Sequence, residues 1–166
     1  DRSAPRLKRL RANLERLNLE AETRVADAGA LKAEPFDAIL LDAPCSATGT
    51  IRRHPDVAWT KNEVDLTKLV ALQARLLDHA ASLVKTGGAL VYCTCSLQPE
   101  ECEAQIARLL AARSDLKRDP IHADEIGGIA EALTPEGDLR TLPHQIFGET
   151  ARLSGWAGFY AARLIK

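Results

Sequence analysis

The first apolar pattern along the chain has helical spacing. Leu7, Leu10, Leu14 and Leu17 recur every three or four residues, and Pro5 suits the opening turn, where a missing N–H leaves nothing unpaired. The period then changes. Thr23 to Ala26 reads as a short strand ending at Asp27, and Phe36 to Leu41 (FDAILL) is a nearly continuous apolar run. Such a run suits the buried middle of a parallel sheet. A turn-rich stretch follows, from Asp42-Ala43-Pro44-Cys45-Ser46 to His54-Pro55. The longest helical pattern covers Asp65 to Lys85, with Leu66, Leu69, Val70, Leu76, Leu77, Ala80, Leu83 and Val84 on one face and Gly87-Gly88 to stop it. Ala89 to Cys93 is a third strand, ending at Thr94-Cys95-Ser96. Ser96 or Gln98 opens another helix, with Pro99 near its start and Glu100 and Glu101 toward the positive end of its dipole. Beyond about residue 114 the pattern weakens, and Gly158 to Ile165 reads as a final strand.

Strands alternating with helices predict an α/β domain with a central, mostly parallel sheet. A length of 166 residues fits one domain, and 46% hydrophobic with 27% charged residues is ordinary for a globular fold. Lys and Arg number 22 against 23 Asp and Glu, so bulk charge does not mark a nucleic-acid binder. The first helix is nevertheless basic, with Arg2, Arg6, Lys8, Arg9, Arg11 and Arg16 against Asp1 and Glu15. It is either a solvated face or a contact for an RNA backbone. No apolar run approaches the ~18 residues of a membrane helix. Four cysteines in a chain of this size do not make a disulfide framework, which predicts a reducing, cytoplasmic setting. There is no methionine, at position 1 or elsewhere, so the chain is expected to be a piece of a longer polypeptide.

In open α/β sheets, ligands bind beyond the carboxyl ends of the strands. Asp27, Asp42, Cys45 and Cys95 all follow strand candidates directly. A lone cysteine is ordinarily a small buried hydrophobe, whereas two at the ligand-binding edge of one sheet ask for chemistry. Metal binding is not predicted. Cys93, Cys95 and Cys102 lack zinc-ribbon spacing, and none of the histidines falls in an H-x₃₋₅-H pattern. A dithiol redox motif is not predicted either, because C-x-x-C is absent.

FDAILLDAPCSATGTIRRHPDVAW, followed by LQARLLDHAASLVKTGGALVYCTCSLQPEE, resembles the Sun/RsmB-type RNA (cytosine-5) methyltransferases. The likeness runs from Asp1 to about residue 110 and continues weakly through Leu139 to Pro143 and Gly158 to Tyr160. DAPCS, RRHPD nearby and TCS some fifty residues later make a specific combination. The resemblance implies a Rossmann-like S-adenosylmethionine-dependent methyltransferase domain, here without its first strand, its glycine-rich cofactor loop and the RNA-binding domain upstream. The implied substrate is RNA, with ribosomal RNA expected.

Carbon 5 of cytosine is too weak a nucleophile to take a methyl group directly. A thiolate adding at C6 makes C5 carbanion-like, which splits one hard step into two easier ones. By resemblance the nucleophile is Cys95, and Cys45 assists proton removal or elimination. The resemblance likewise puts Asp1 and Asp27 at the cofactor's ribose and adenine, and Asp42 near its methionine end or the target base. Asp42, Pro44, Arg52, Arg53 and His54 would then line the substrate side. The target base must be single-stranded or flipped to reach a buried thiol. Trp59 is the one aromatic near this loop, and stacking on RNA or burial in the core are both open for it. Two further readings stay open: an RNA-binding module that has lost activity, and a nitrogen methyltransferase, which needs no thiol.

Overall fold

In a computed structural model, the structure describes residues 1–60, 62–145, 148–150 and 154–166. They form two compact units, Asp1–Glu34 and Pro35–Lys166. In the first unit, α1 (Ala4–Arg16) begins where Ser3 accepts a hydrogen bond from the Arg6 N–H, with Pro5 in the first turn as its sequence predicts. Thr23 to Ala26 is not a strand. A strand needs a ladder, and among the described residues the backbone partner here is Asp1: Ala26 N donates to Asp1 O at 3.1 Å, and the Asp1 ammonium donates to Arg24 O at 3.4 Å.

The second unit holds β1 (Phe36–Asp42), a short α2 (Val57–Thr60), α3 (Glu63–Ser82), β2 (Val84–Thr94), α4 (Glu103–Ala112), β3 (Lys117–Arg118), β4 (Leu139–Thr141) and β5 (Phe159–Ile165). The α3 helix is capped by Asn62, whose side chain accepts from Asp65 N, and it ends at Ser82, so Val84 and Lys85, expected in its last turn, open β2 instead. Gly87 and Gly88 lie inside β2. Phe36 pairs with Val84 but Ala38 pairs with Ala89, so residues 85–88 bulge from the ladder. Gly87 supplies the φ of +80° that the bulge requires and donates its N–H to Lys166 O.

The sheet order is β1-β2-β5-β3, with β4 also paired to β5. β1 and β2 are parallel, while β5 pairs antiparallel with β2, β3 and β4. The first four strands therefore share one direction, as a mostly parallel sheet predicts. The pairing differs from that expectation because β5 alone is reversed and sits between β2 and β3. Between β3 and β5, the described residues carry only one-turn helices and β4, not the long helix a parallel return uses.

One face of the sheet carries the core. Leu90 and Tyr92 of β2 lie opposite Leu164 and Ala162 of β5, and all four are buried against Leu77 and Ala81 of α3 and Ile106 and Leu109 of α4. β1 departs from the expectation of a buried central strand. It lies at the sheet's edge, with Phe36 41% and Leu40 71% exposed. No described helix is long and apolar enough to cross a membrane.

Candidate active site

Asp42 pairs with Cys93 in parallel register, so β1 and β2 end side by side and the loops that follow them meet. This brings Cys45 and Cys95 together from fifty residues apart: their Sγ atoms are 3.6 Å from each other. The loops are braced along their length. Gly49 N donates to Cys95 O at 3.0 Å, Leu97 N to Thr48 Oγ1 at 2.8 Å, and Ser46 Oγ lies 3.2 Å from Ser96 Oγ. Gly49 cannot carry a side chain, because a Cβ there would meet the Gly158 carbonyl oxygen at 2.0 Å. From the far side, Arg140 donates to Ser96 O and Leu97 O.

The two thiols differ in acidity. The hydrogen bond from Cys45 holds the Cys95 thiolate, and Cys95 comes down from 9.0 to about 7 although burial and Asp42 oppose this. Its own backbone N–H and the Arg53 charge help in the same sense. Cys45, as the donor of that bond and partly buried, is pushed far up. The shifts favour Cys95 as the member of the pair that ionises first, with Cys45 as the donor to it. Cys93, buried beside Asp42, is raised to about 11, and burial also raises Cys102. Neither of these two has the environment of a nucleophile.

The remaining residues expected at the site fall into groups. Asp42 at the end of β1 and Pro44 on the Cys45 loop are exposed, and Pro44 O accepts from Gln73 Nε2 at 2.8 Å. Arg53 and His54 are exposed, whereas Arg52 directs its guanidinium to Ser154 O at 2.8 Å and braces a loop. Trp59 is 89% exposed, which removes the core alternative. Asp1 and Asp27 lie in the other unit, where the bonds between Asp1 and residues 24–26 make them neighbours. One oxygen of each carboxylate accepts from its own turn, Asp1 from Ser3 N and Asp27 from Gly29 N. Among the described residues, no group of three or more His, Cys, Asp or Glu side chains could hold a metal ion.

Sequence reasoning missed one residue at the centre. Glu101, expected to face a helix dipole, is fully buried and turns back toward the loops. It accepts from Ser46 N at 2.9 Å, Ser46 Oγ at 2.5 Å, Ser96 Oγ at 2.5 Å and Gln73 Nε2 at 2.9 Å. The available signal was a serine following each cysteine, a residue whose hydroxyl needs a partner once buried.

The fold and the paired-thiol edge define the class, a Rossmann-like methyltransferase domain. A methyltransferase homolog protein from Pyrococcus horikoshii superimposes over the whole chain and 52% of its own, at 30% identity and TM-score 0.75. NSun6 from the same organism, solved with SFG (an analogue of S-adenosylmethionine), does so over 100% and 40%, at 26% identity and TM-score 0.79. Ribosomal RNA small subunit methyltransferase B of Shewanella oneidensis is 41% identical across the full chain, which spans 36% of that relative's length. The pattern of the 16S rRNA methyltransferase RsmB/F family matches residues 1–165, and the chain belongs to that family.

Proposed function

We propose that this chain is the two-thiol part of the catalytic domain of an enzyme that methylates C5 of a cytosine in small-subunit ribosomal RNA, using S-adenosylmethionine. The observation that carries the reading is the Cys45–Cys95 pair, with Sγ atoms 3.6 Å apart and the acidity of Cys95 raised while that of Cys45 is lowered. Binding RNA needs no thiol, and methylating an exocyclic nitrogen needs none either.

In this reading the Cys95 thiolate attacks C6 of the cytosine, forming a C–S bond and displacing the ring's electron pair toward C5. S-adenosylmethionine, when bound, supplies an electrophilic methyl group for that carbon. Consumption of the thiolate changes its neighbour. Cys45 loses the partner that raised its pKa most, so it becomes easier to ionise only after the adduct exists. Once its own proton has passed to solvent, the Cys45 thiolate can take the C5 proton, and the C–H electron pair re-forms the C5–C6 double bond and expels the Cys95 thiolate from C6. One helper thiol thus stays silent during attack and acts during release.

The acids fit the cofactor by donor chemistry. Asp1 and Asp27 are carboxylates in one unit, and a ribose diol and an adenine amine are hydrogen-bond donors. Asp42, Pro44, Arg53 and His54 line the substrate side, with Arg52 supporting the loop through Ser154. Trp59 adds an exposed ring for an unpaired base, since base stacking on aromatics tolerates any sequence. A ribosomal RNA substrate puts the enzyme's work in the cytoplasm.

The test is methyl transfer from S-adenosylmethionine to small-subunit ribosomal RNA by the full-length protein, followed by nucleoside analysis. The expected product is 5-methylcytidine, absent with Cys95→Ala. An N-methylated nucleoside, or a product unaffected by Cys95→Ala, would overturn the reading.

A further inference from the structure

A serine follows the cysteine in both loops, and both serines are buried on one carboxylate. Ser46 follows Cys45 and Ser96 follows Cys95; Ser46 is 3% exposed, while Ser96 and Glu101 are 0% exposed. Oε2 of Glu101 accepts both hydroxyls at 2.5 Å, so a single atom joins the residues behind the two thiols. Oε1 accepts Ser46 N and Gln73 Nε2, both at 2.9 Å, and Gln73 also reaches Pro44 O just before Cys45. Glu101 is itself held, because Tyr92 donates to its backbone carbonyl at 2.7 Å. Every partner of the carboxylate named here is a donor, which suits an acceptor-only group and no other side chain of that length.

We propose that Glu101 is the positioning residue of the site, a buried clamp that sets the Cys45–Cys95 separation by fixing Ser46 and Ser96 to one oxygen. The inference deepens the proposed function and rests on its choice of reacting pair. It explains why a serine follows each cysteine, which thiol chemistry alone does not require. The carboxylate also acts through charge. Cys45 faces Cys95 and Glu101, both of which oppose its ionisation, while Cys95 faces Cys45, Asp42 and Arg53. The bond to Cys95 and burial chiefly keep Cys45 a thiol, the Glu101 charge adds to them, and the clamp holds the thiol where it can donate.

Glu101→Gln keeps the shape but turns one acceptor into a donor, which must face either the two hydroxyls or the obligate donors Ser46 N–H and Gln73 NH₂. The readout is alkylation by iodoacetamide of the full-length protein at pH 7.5, resolved by peptide mass spectrometry, beside thermal unfolding. Wild type is expected to label Cys95 in preference to Cys45. Glu101→Gln is expected to reduce that preference about tenfold, equivalent to one pKa unit of lost differential. Ser96→Ala, which removes one hydroxyl and leaves the carboxylate, should shift it the same way and decides the matter if Glu101→Gln does not fold. A lowered unfolding temperature with the labelling preference intact in the folded variants would make Glu101 a structural residue only and overturn the proposal. Alkylation needs neither RNA nor methyl transfer, so loss of the clamp and failure of the methylation reading are read separately.

Discussion

Removing the Cys45 thiol should move the reactivity of Cys95 along the pH axis more than it lowers it. Cys95 stands at about 7 chiefly because Cys45 donates to it; Cys45→Ala leaves burial and Asp42, both of which push it up. The Cys95 midpoint should return to its ordinary 9.0 or above. At pH 7.5 the thiolate fraction then falls from about three-quarters to about 3%, a ~25-fold loss. A more basic thiolate is a better nucleophile, and a Brønsted slope of ~0.4–0.5 over about two units returns ~6–10-fold. The net loss at pH 7.5 is therefore only about threefold. The two pH profiles should cross near pH ~8, with the variant faster above it. Single-turnover formation of the covalent adduct on RNA containing 5-azacytosine, followed from pH 5.5 to 9.5, reads this directly. Wild type should rise with a midpoint near 7 and flatten, and the variant should still be rising at the top of the range. A Cys45→Ala profile with its midpoint unchanged, slower or not, would refute the hydrogen bond as the source of Cys95's acidity. On cytosine RNA with cofactor, the same variant should accumulate a stalled adduct, because the thiol that assists release is gone.

Two further outcomes follow from other parts of the structure. Trp59→Ala should weaken binding of single-stranded RNA by about 1–3 kcal/mol in fluorescence anisotropy, the worth of one stacked base, with unfolding temperature unchanged; unaltered affinity would return the ring to an incidental surface residue. Gly49→Ala should disrupt the close approach to Gly158 and thereby the contact from Gly49 N to Cys95 O, lowering both the unfolding temperature and the adduct rate; a folded, fully active variant would show that the backbone there yields easily.

The elements that read correctly from sequence are those whose own periodicity carries them. The α3 stripe and the FDAILL run need no partner to be recognised, and the two cysteine loops follow from where β1 and β2 stop. What failed depends on neighbours. Among the described residues Thr23 to Ala26 has strand composition but no ladder to join, and Leu40 is apolar yet 71% exposed. The bulge at Gly87 is invisible until Lys166 from the far end of the chain pairs with it. The direction of β5 depends on what fills the span before it, which hydrophobic period does not encode. At the site, the thiols were legible as motif and loop, whereas their clamp was not. Glu101 stands in a run of acids at a helix start, where the local rule for dipoles gives it an adequate role. Only the burial of Ser46 and Ser96 shows that it has another.

The most direct test of the covalent site is the intact mass of the full-length protein after incubation with S-adenosylmethionine and RNA containing 5-azacytosine. The account predicts a protein–RNA adduct in wild type, mapped to Cys95 and missing in Cys95→Ala. An adduct that survives that substitution, or none on small-subunit ribosomal RNA from a protein that binds the cofactor, would contradict it.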